Sequence, residues 1–272
     1  LHTPLLMLDA KMSGSLADVI FRALPNDDNC FGRIVSSKYD MKIETIDSKK
    51  ILLSHIIVKP RSFDVLKASE FELILKDINK LRESMKLAKS SKQFSITHQK
   101  ETNYISISFG HITRKMAVAQ GINSELIENK LKHPFTIKLK AKELSRGIRA
   151  AQSISDKVTF SADPEKFEIS ASSETDSVQI QIGLENGHNI FDNSPNTYSV
   201  SNTNFNFNTG SNKKISSSFP IAYLAKVAYA FNDNDEITIS IGNNMPAKIA
   251  FTSNDNSYEI SFCIAPLVQK DF

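Results

Sequence analysis

The chain has 272 residues, 40% of them apolar and 23% charged, with 33 Lys and Arg against 30 Asp and Glu for a net charge of +3. This is an ordinary globular composition with enough apolar material for one or two cores. It excludes a membrane helix, because no run approaches the ~18 apolar residues one needs, and it excludes a protein that holds polyanions by bulk charge alone.

In chain order, Leu16, Val19, Ile20 and Ala23 form a first helical stripe, closed by the turn residues Pro25–Asp28. Met41–Glu44 and Ile51–Val58 read as strands. Ile78, Leu81, Met85 and Ala88 form a second helical stripe. Phe94–Thr97 and Tyr104–Phe109 alternate as strands, Tyr104, Ser106 and Ser108 against Ile105, Ile107 and Phe109. Ala119–His133 has no such alternation and ends before Pro134. It reads as an interdomain connector, with a short helix as the competing reading. Phe135–Leu139 is a strand, and Leu144, Ile148 and Ala151 mark a third helix. Val158–Ala162, Phe167–Ala171 and Val178–Ile182 are strands. Asp192–Ser218 is dense in Asn and Ser and reads as a mobile insertion or long loop. Ile221, Leu224, Ala225, Ala228 and Phe231 form a fourth helix, with Pro220 near its first turn. Glu236–Ile241, Lys248–Phe251 and Tyr258–Ile264 complete the strands.

The helices share a context: helix, polar turn, strand. Leu81–Ile96, Leu144–Phe160 and Leu224–Ile239 follow it closely, and Leu16–Val35 more loosely. Such an internal repeat defines the architecture. Paired copies give two similar halves, 1–118 and 134–272, on either side of the connector 119–133. The expected fold is α+β: two similar domains of antiparallel sheets with two helices each.

At 100° per residue the charges can be set against the apolar stripes. Lys142, Arg146 and Arg149 fall opposite the third stripe, and Lys226 opposite the fourth. Lys76 and Lys80 oppose the second, with Lys86 on its flank. Lys11 and Arg22 point loosely outward from the first, where Asp18 interrupts the pattern. Any amphipathic helix shows charge to water, and Glu83 also faces outward. Still, the outward faces lean basic on a nearly neutral chain, as a surface that meets phosphates without reading sequence would.

Catalytic signatures are missing. The histidines His2, His55, His98, His111, His133 and His188 have no metal-ligand spacing, and no HExxH, GxSxG, GxGxxG or GxxxxGK[ST] occurs. His55, within a strand, reads as a structural or surface residue. Cys30 and Cys263 stand at opposite ends of the sequence, form no disulfide framework or metal knuckle, and fit a reducing, intracellular compartment. Leu1–Leu8 is apolar but too short, and lacks the basic start, for a leader. No enzyme, cofactor, metal or membrane contact is expected.

The residues resemble the sliding clamps of the proliferating cell nuclear antigen (PCNA) family. The resemblance is most specific in Ser216–Val227, in Asp235–Phe251 with Met245-Pro246, in Ile264-Ala265-Pro266 and in Ser155–Ala162. It is looser in Leu8–Lys11 and Ile46–Ile51. It implies the DNA clamp fold and a subunit of a three-fold ring that encircles duplex DNA. The helices would line the hole, so that Lys11, Lys76, Lys80, Lys86, Lys142, Arg146, Arg149 and Lys226 face DNA. It implies subunit contacts through strands matching His111–Val118 (Arg114, Met116, Val118) and Ser177–Leu184 (Val178, Ile180, Ile182). It also implies a pocket for short apolar motifs of DNA polymerase, clamp loader, flap endonuclease and ligase, formed by Ile51, Leu53, Leu126, Ile127, Pro246, Ala265 and Pro266. Cys263 replaces a common aromatic and Lys50 a frequent histidine. The slightly basic balance is unusual in clamps that are generally acidic. A heterotrimeric or checkpoint-type subunit is the nearest alternative, and an all-β ligand-binding module with merely amphipathic helices the more distant one. The compartment implied is cytoplasmic in a prokaryote and nuclear in a eukaryote.

Overall fold

The computed structural model describes residues 6–27, 30–120, 131–183, 205–207 and 214–267. The elements are β1 (Leu6–Ser13), α1 (Gly14–Ala23), β2 (Phe31–Ser36), β3 (Met41–Ile46), β4 (Leu52–Val58), β5 (Phe63–Ala68), β6 (Phe71–Leu75), α2 (Ile78–Ala88), β7 (Gln93–Gln99), β8 (Tyr104–Phe109) and β9 (Ile112–Gln120). There follow β10 (Phe135–Lys140), α3 (Ala141–Gln152), β11 (Lys157–Ala162), β12 (Lys166–Ser172), β13 (Ser177–Gly183), β14 (Phe205–Phe207), β15 (Ile215–Pro220), α4 (Ile221–Tyr229), β16 (Glu236–Ile241), β17 (Ala247–Thr252) and β18 (Tyr258–Ile264). The chain divides into two compact units, Leu1–Glu128 with Thr252–Ser261, and Asn129–Phe251 with Phe262–Phe272.

In the first unit the strands run in the order β4-β3-β2-β6-β9-β8-β7-β1-β5. All the recorded pairings among them are antiparallel. Helices α1 and α2 pack on each other and on β1 and β7. The alternation that marks a half-buried strand is explicit: Ile34, Ile43 and Ile56 are fully buried on one face, while Arg33, Glu44 and His55 lie in register on the other. The Ser13 side chain caps α1 by accepting from Leu16 N, and Asp77 caps α2 by accepting from Lys80 N.

The second unit repeats the plan. One sheet has the order β13-β12-β11-β15, and β10 lies between β14 and β16 with β17 beyond. Helices α3 and α4 pack together, α3 over β11, β12 and β13, and α4 beside β15. Phe160 sits among Phe167 and Phe219 at ring separations of 5.6 and 5.5 Å, an edge-on and tilted cluster at the centre of the core. Neither helix has a side-chain cap. Backbone carbonyls serve instead: Asp235 and Asp233 accept from Ala141 N and Lys142 N, and Asp156 accepts from Ile221 N.

The antiparallel, twice-repeated α+β fold with two helices per unit is the one expected. Alternation does not show β1, β2, β5, β6, β14 and β15, and β9 is expected from the resemblance alone. The segment read as an irregular insertion, Asp192–Ser218, is corrected within, where Phe205–Phe207 is β14 paired with β10, and at its end. Ile215–Ser218 belongs to β15, which pairs with β11 over its whole length. Its serines gave no apolar pattern, yet Ser217 is buried and donates to the Gly242 carbonyl at 2.6 Å.

Gly14 opens α1 where the end of α2 comes closest. A Cβ there would meet three backbone carbonyl oxygens, those of Ser91, Ala88 (2.9 Å) and Lys89 (3.2 Å). Backbone cannot rotate away as a side chain can, so Gly14→Ala is expected to destabilise by about 1–3 kcal/mol. A fall in the thermal midpoint of the first unit, with no such fall for Ala at exposed Ser15, checks this.

Candidate nucleic-acid interface

On α3 the residues Ala141, Leu144, Gly147, Ile148 and Ala151 are buried, and Lys142, Arg146 and Arg149 are exposed on the opposite side. Gly147 allows the close packing: a Cβ there would lie 2.8 Å from Ile169 Cδ1. Glu143 is buried under Arg146 at 3.5 Å, but the Arg146 side chain is 61% exposed. Among the described residues, Lys142 and Arg149 have no ion-pair partner. On α4, Ala222, Lys226 and Tyr229 form the exposed stripe, and Lys226 Nζ lies 5.1 Å from the Tyr223 ring centroid. The two packed helices of the second unit, Ala141–Gln152 and Ile221–Tyr229, thus present four cations and no exposed carboxylate.

The first unit is less uniform. Lys76, Lys80 and Lys86 are exposed as expected, but Lys76 precedes α2 rather than lying on it. Lys80 pairs with Asp77 at 3.3 Å, Lys89 with Asp18 at 3.3 Å, and Glu83 is exposed between them. Lys11 needs correction: it is a half-buried residue of β1, not of α1. Arg22 is turned back to Asp18 at 3.5 Å. Cationic character is therefore greatest on α3, with α4 beside it in the second unit, and is weaker on α2 in the first unit. Tyr229, 61% exposed one turn beyond Lys226, was not singled out in the sequence, although its i+3 spacing from Lys226 placed it there.

The strand residues expected at a subunit contact divide by alternation. Met116, Val118, Ile180 and Ile182 are buried within their own unit, Arg114 and Val178 are half-buried, and the exposed side chains are Ile112, Thr113, Lys115 and Ala117 on β9 and Ser177 and Gln179 on β13. Among the described residues the backbone edges are open. β13 pairs only with β12, and Ile112–Ala117 of β9 pairs only with β8 among the described residues.

Of the residues expected to receive apolar motifs, Ile51 and Leu53 belong to the first unit and Pro246, Ala265 and Pro266 to the second. All are half-buried. Leu126 and Ile127, with most of the connector, lie outside the described residues. His133 Nε2 hydrogen-bonds the Pro246 carbonyl oxygen at 2.8 Å. Ile51 ends a loop built on Asp47. That carboxylate is buried and accepts from three backbone amides, those of Lys49 (3.1 Å), Ile51 (2.7 Å) and Leu52 (2.6 Å). It holds Lys50 at a φ of +57°, a conformation a lysine does not choose unaided. Beside the loop, Arg33 is bound by Glu44 and, at 3.3 Å, by Glu72, and His55 Nε2 lies 3.3 Å from Glu44. Burial opposes the Arg33 charge, yet the two carboxylates outweigh it and raise its pKa above the ordinary value. His55 has the structural role expected.

With this geometry in hand, the comparisons are specific. No model of a known protein family matches the chain. The fold is that of the PCNA-type clamps. A solved PCNA from Thermococcus kodakaraensis superimposes with a TM-score of 0.77 at 19% identity, covering 96% of this chain and all of that one. An Archaeoglobus fulgidus PCNA bound to the C-terminal region of FEN-1 gives 0.78 at 21% identity, covering 97% and 100%. In sequence, the chain is 23% identical over 270 residues to the A. fulgidus protein named DNA polymerase sliding clamp, spanning 97% of this chain and all of the relative. It is 26% identical over 235 residues to the protein of that name from Thermoplasma volcanium, spanning 85% and 87%. The resemblance legible in the sequence thus holds over nearly the whole chain.

Asp47→Ala leaves three amides without their acceptor. The loop is expected to lose about 1–3 kcal/mol of local stability. Faster hydrogen exchange at Lys49, Ile51 and Leu52, with β12 unchanged, is the readout.

Proposed function

We propose that this chain is the subunit of a DNA sliding clamp, a non-enzymatic ring that tethers polymerase and other replication and repair enzymes to duplex DNA. The observation that carries this reading is the cationic solvent face of α3 and α4 on a clamp fold. Lys142, Arg146, Arg149 and Lys226 stand on helix turns whose apolar sides are fixed in the core. Side chains directed at phosphates hold a duplex without fixing its register, because every base-pair step offers the same charge. Weak, register-free attraction permits sliding, and closure of the ring prevents escape.

Ring closure is read from the open edges. β9 offers unpaired backbone at Ile112–Ala117, with Arg114 and Lys115 on it. β13 offers its free side, entered through the turn bearing Glu174 and Asp176. A basic edge and an acid-flanked edge on one chain are complementary between copies, so the ring is read as three copies of this 30.3 kDa chain. The main-chain groups make the joint. Arg114 and Val178 keep their place at it, while Met116, Val118, Ile180 and Ile182 support the strands from inside. The site of action would be the compartment that holds the DNA, the cytoplasm in a prokaryote. No helix among the described residues is long and apolar enough to cross a membrane.

Two outcomes follow. Loaded on nicked circular DNA, the protein should remain bound as a particle of three copies and run off once the circle is linearised. Retention on open-ended linear DNA would overturn the ring. Arg146→Glu with Arg149→Glu should weaken DNA association at low salt at least about tenfold. It should also reduce the slope of log affinity against log salt by about 2. Arg149 is exposed without an ion-pair partner among the described residues, whereas Arg146→Glu also removes the partner of the buried Glu143, so the thermal midpoint of the variant is measured beside its DNA association. Unchanged association would overturn the helix-face reading.

A further inference from the structure

One sheet face of the first unit holds an apolar row of which the resemblance assigned only Leu53. Phe31 on β2 stands in register with Ile46 on β3, and Ile46 with Leu53 on β4. Phe31 is 37% exposed, and Ile46 and Leu53 are half-buried. Neighbouring strands lie about 4.8 Å apart, so the row spans roughly 10 Å. At its end stands the loop fixed by Asp47, with Ile51 half-buried and Ser48, Lys49 and Lys50 exposed.

The charges around this row are unequally spent. In the next row Arg33, Glu44, Glu72 and His55 bind one another. Asp27 accepts a hydrogen bond from Ser48 at 3.1 Å. Lys49 and Lys50 have no ion-pair partner among the described residues. These two ammonium groups, unpaired among the described residues, sit on a backbone that Asp47 holds rigid, at the rim of an exposed apolar strip. A surface of that kind anchors apolar side chains and selects acidic ones beside them. Because the loop is pre-ordered, little entropy is lost in placing the charges.

We propose that Phe31, Ile46, Leu53 and Ile51, rimmed by Lys49 and Lys50, form a docking strip for a partner segment whose apolar motif is flanked by acidic residues. The assignment rests on the reading of Ile51 and Leu53 as part of a partner pocket. It adds the extent of the strip and the charge of what it accepts. The lysines act as exposed charges, so their contribution is modest and sensitive to salt.

The probe is a synthetic peptide of the A. fulgidus FEN-1 C-terminal region, made unextended and with three glutamates added at either end, and titrated by fluorescence anisotropy. An acidic extension at one end is expected to tighten binding about 3–10-fold at low salt. The gain should vanish in Lys49→Ala with Lys50→Ala and at high salt, while the unextended peptide binds that variant as it binds the unaltered protein. Phe31→Ala should weaken all the peptides alike. If the unextended peptide binds but neither extension helps, or the gain survives loss of both lysines, the charge selection is wrong and the pocket reading stands. If no peptide binds, the pocket reading falls and this proposal with it.

Discussion

The whole arrangement depends on burying one side of each helix against antiparallel sheet. On α3, Leu144, Ile148 and Ala151 are fully or almost fully buried, and Gly147 lets the helix settle against Ile169. A helix fixed so closely cannot rotate about its axis, because the interior is packed like a crystal. The direction of Lys142, Arg146 and Arg149 is therefore set by buried residues on the opposite side of the helix. Core packing, not any pairing of the cations with one another, makes the face. Its charges can then stay free for phosphate, as Lys142 and Arg149 are among the described residues.

The same separation of roles governs the strand edges. In β9 and β13 the apolar alternates turn inward and hold the strand to its own sheet, leaving main-chain donors and acceptors at the free edge. An unpaired edge invites pairing with another chain. Here charged and polar residues beside it, Arg114 and Lys115 on one edge and Glu174 and Asp176 near the other, would favour one partner register over indiscriminate association. The two units also differ in electrostatics: α2 is capped by Asp77 and carries Glu83 among its lysines, whereas α3 has its only carboxylate, Glu143, buried.

Buried polar groups do the remaining positioning. Asp47 ties down three amides and imposes a left-handed lysine. Arg33 gathers two carboxylates across adjoining strands. Both are inside the sheet margin, where an unmet polar group is costly and a satisfied one is rigid. They give the outer face of the first unit fixed side chains rather than a mobile rim, and so make partner selection by charge physically reasonable.

Periodicity alone set the four helices, the alternating strands, the twofold repeat and the outward sense of Arg146, Arg149 and Lys226. Each of these depends only on residues three, four or two apart, a relation the backbone geometry makes local. The motifs at Met245-Pro246 and Ile264–Pro266 carried the likeness to clamps. Tertiary structure decided what local spacing cannot contain. Serine-rich Ile215–Pro220 is a strand because β11 supplies its hydrogen bonds, and Lys11 is withdrawn into β1. Met116 and Ile182 face the core, since a strand's inner side is fixed by what it packs against. Phe31, Ile46 and Leu53 form one row because three strands align in register, a relation between residues as many as 22 positions apart in the chain.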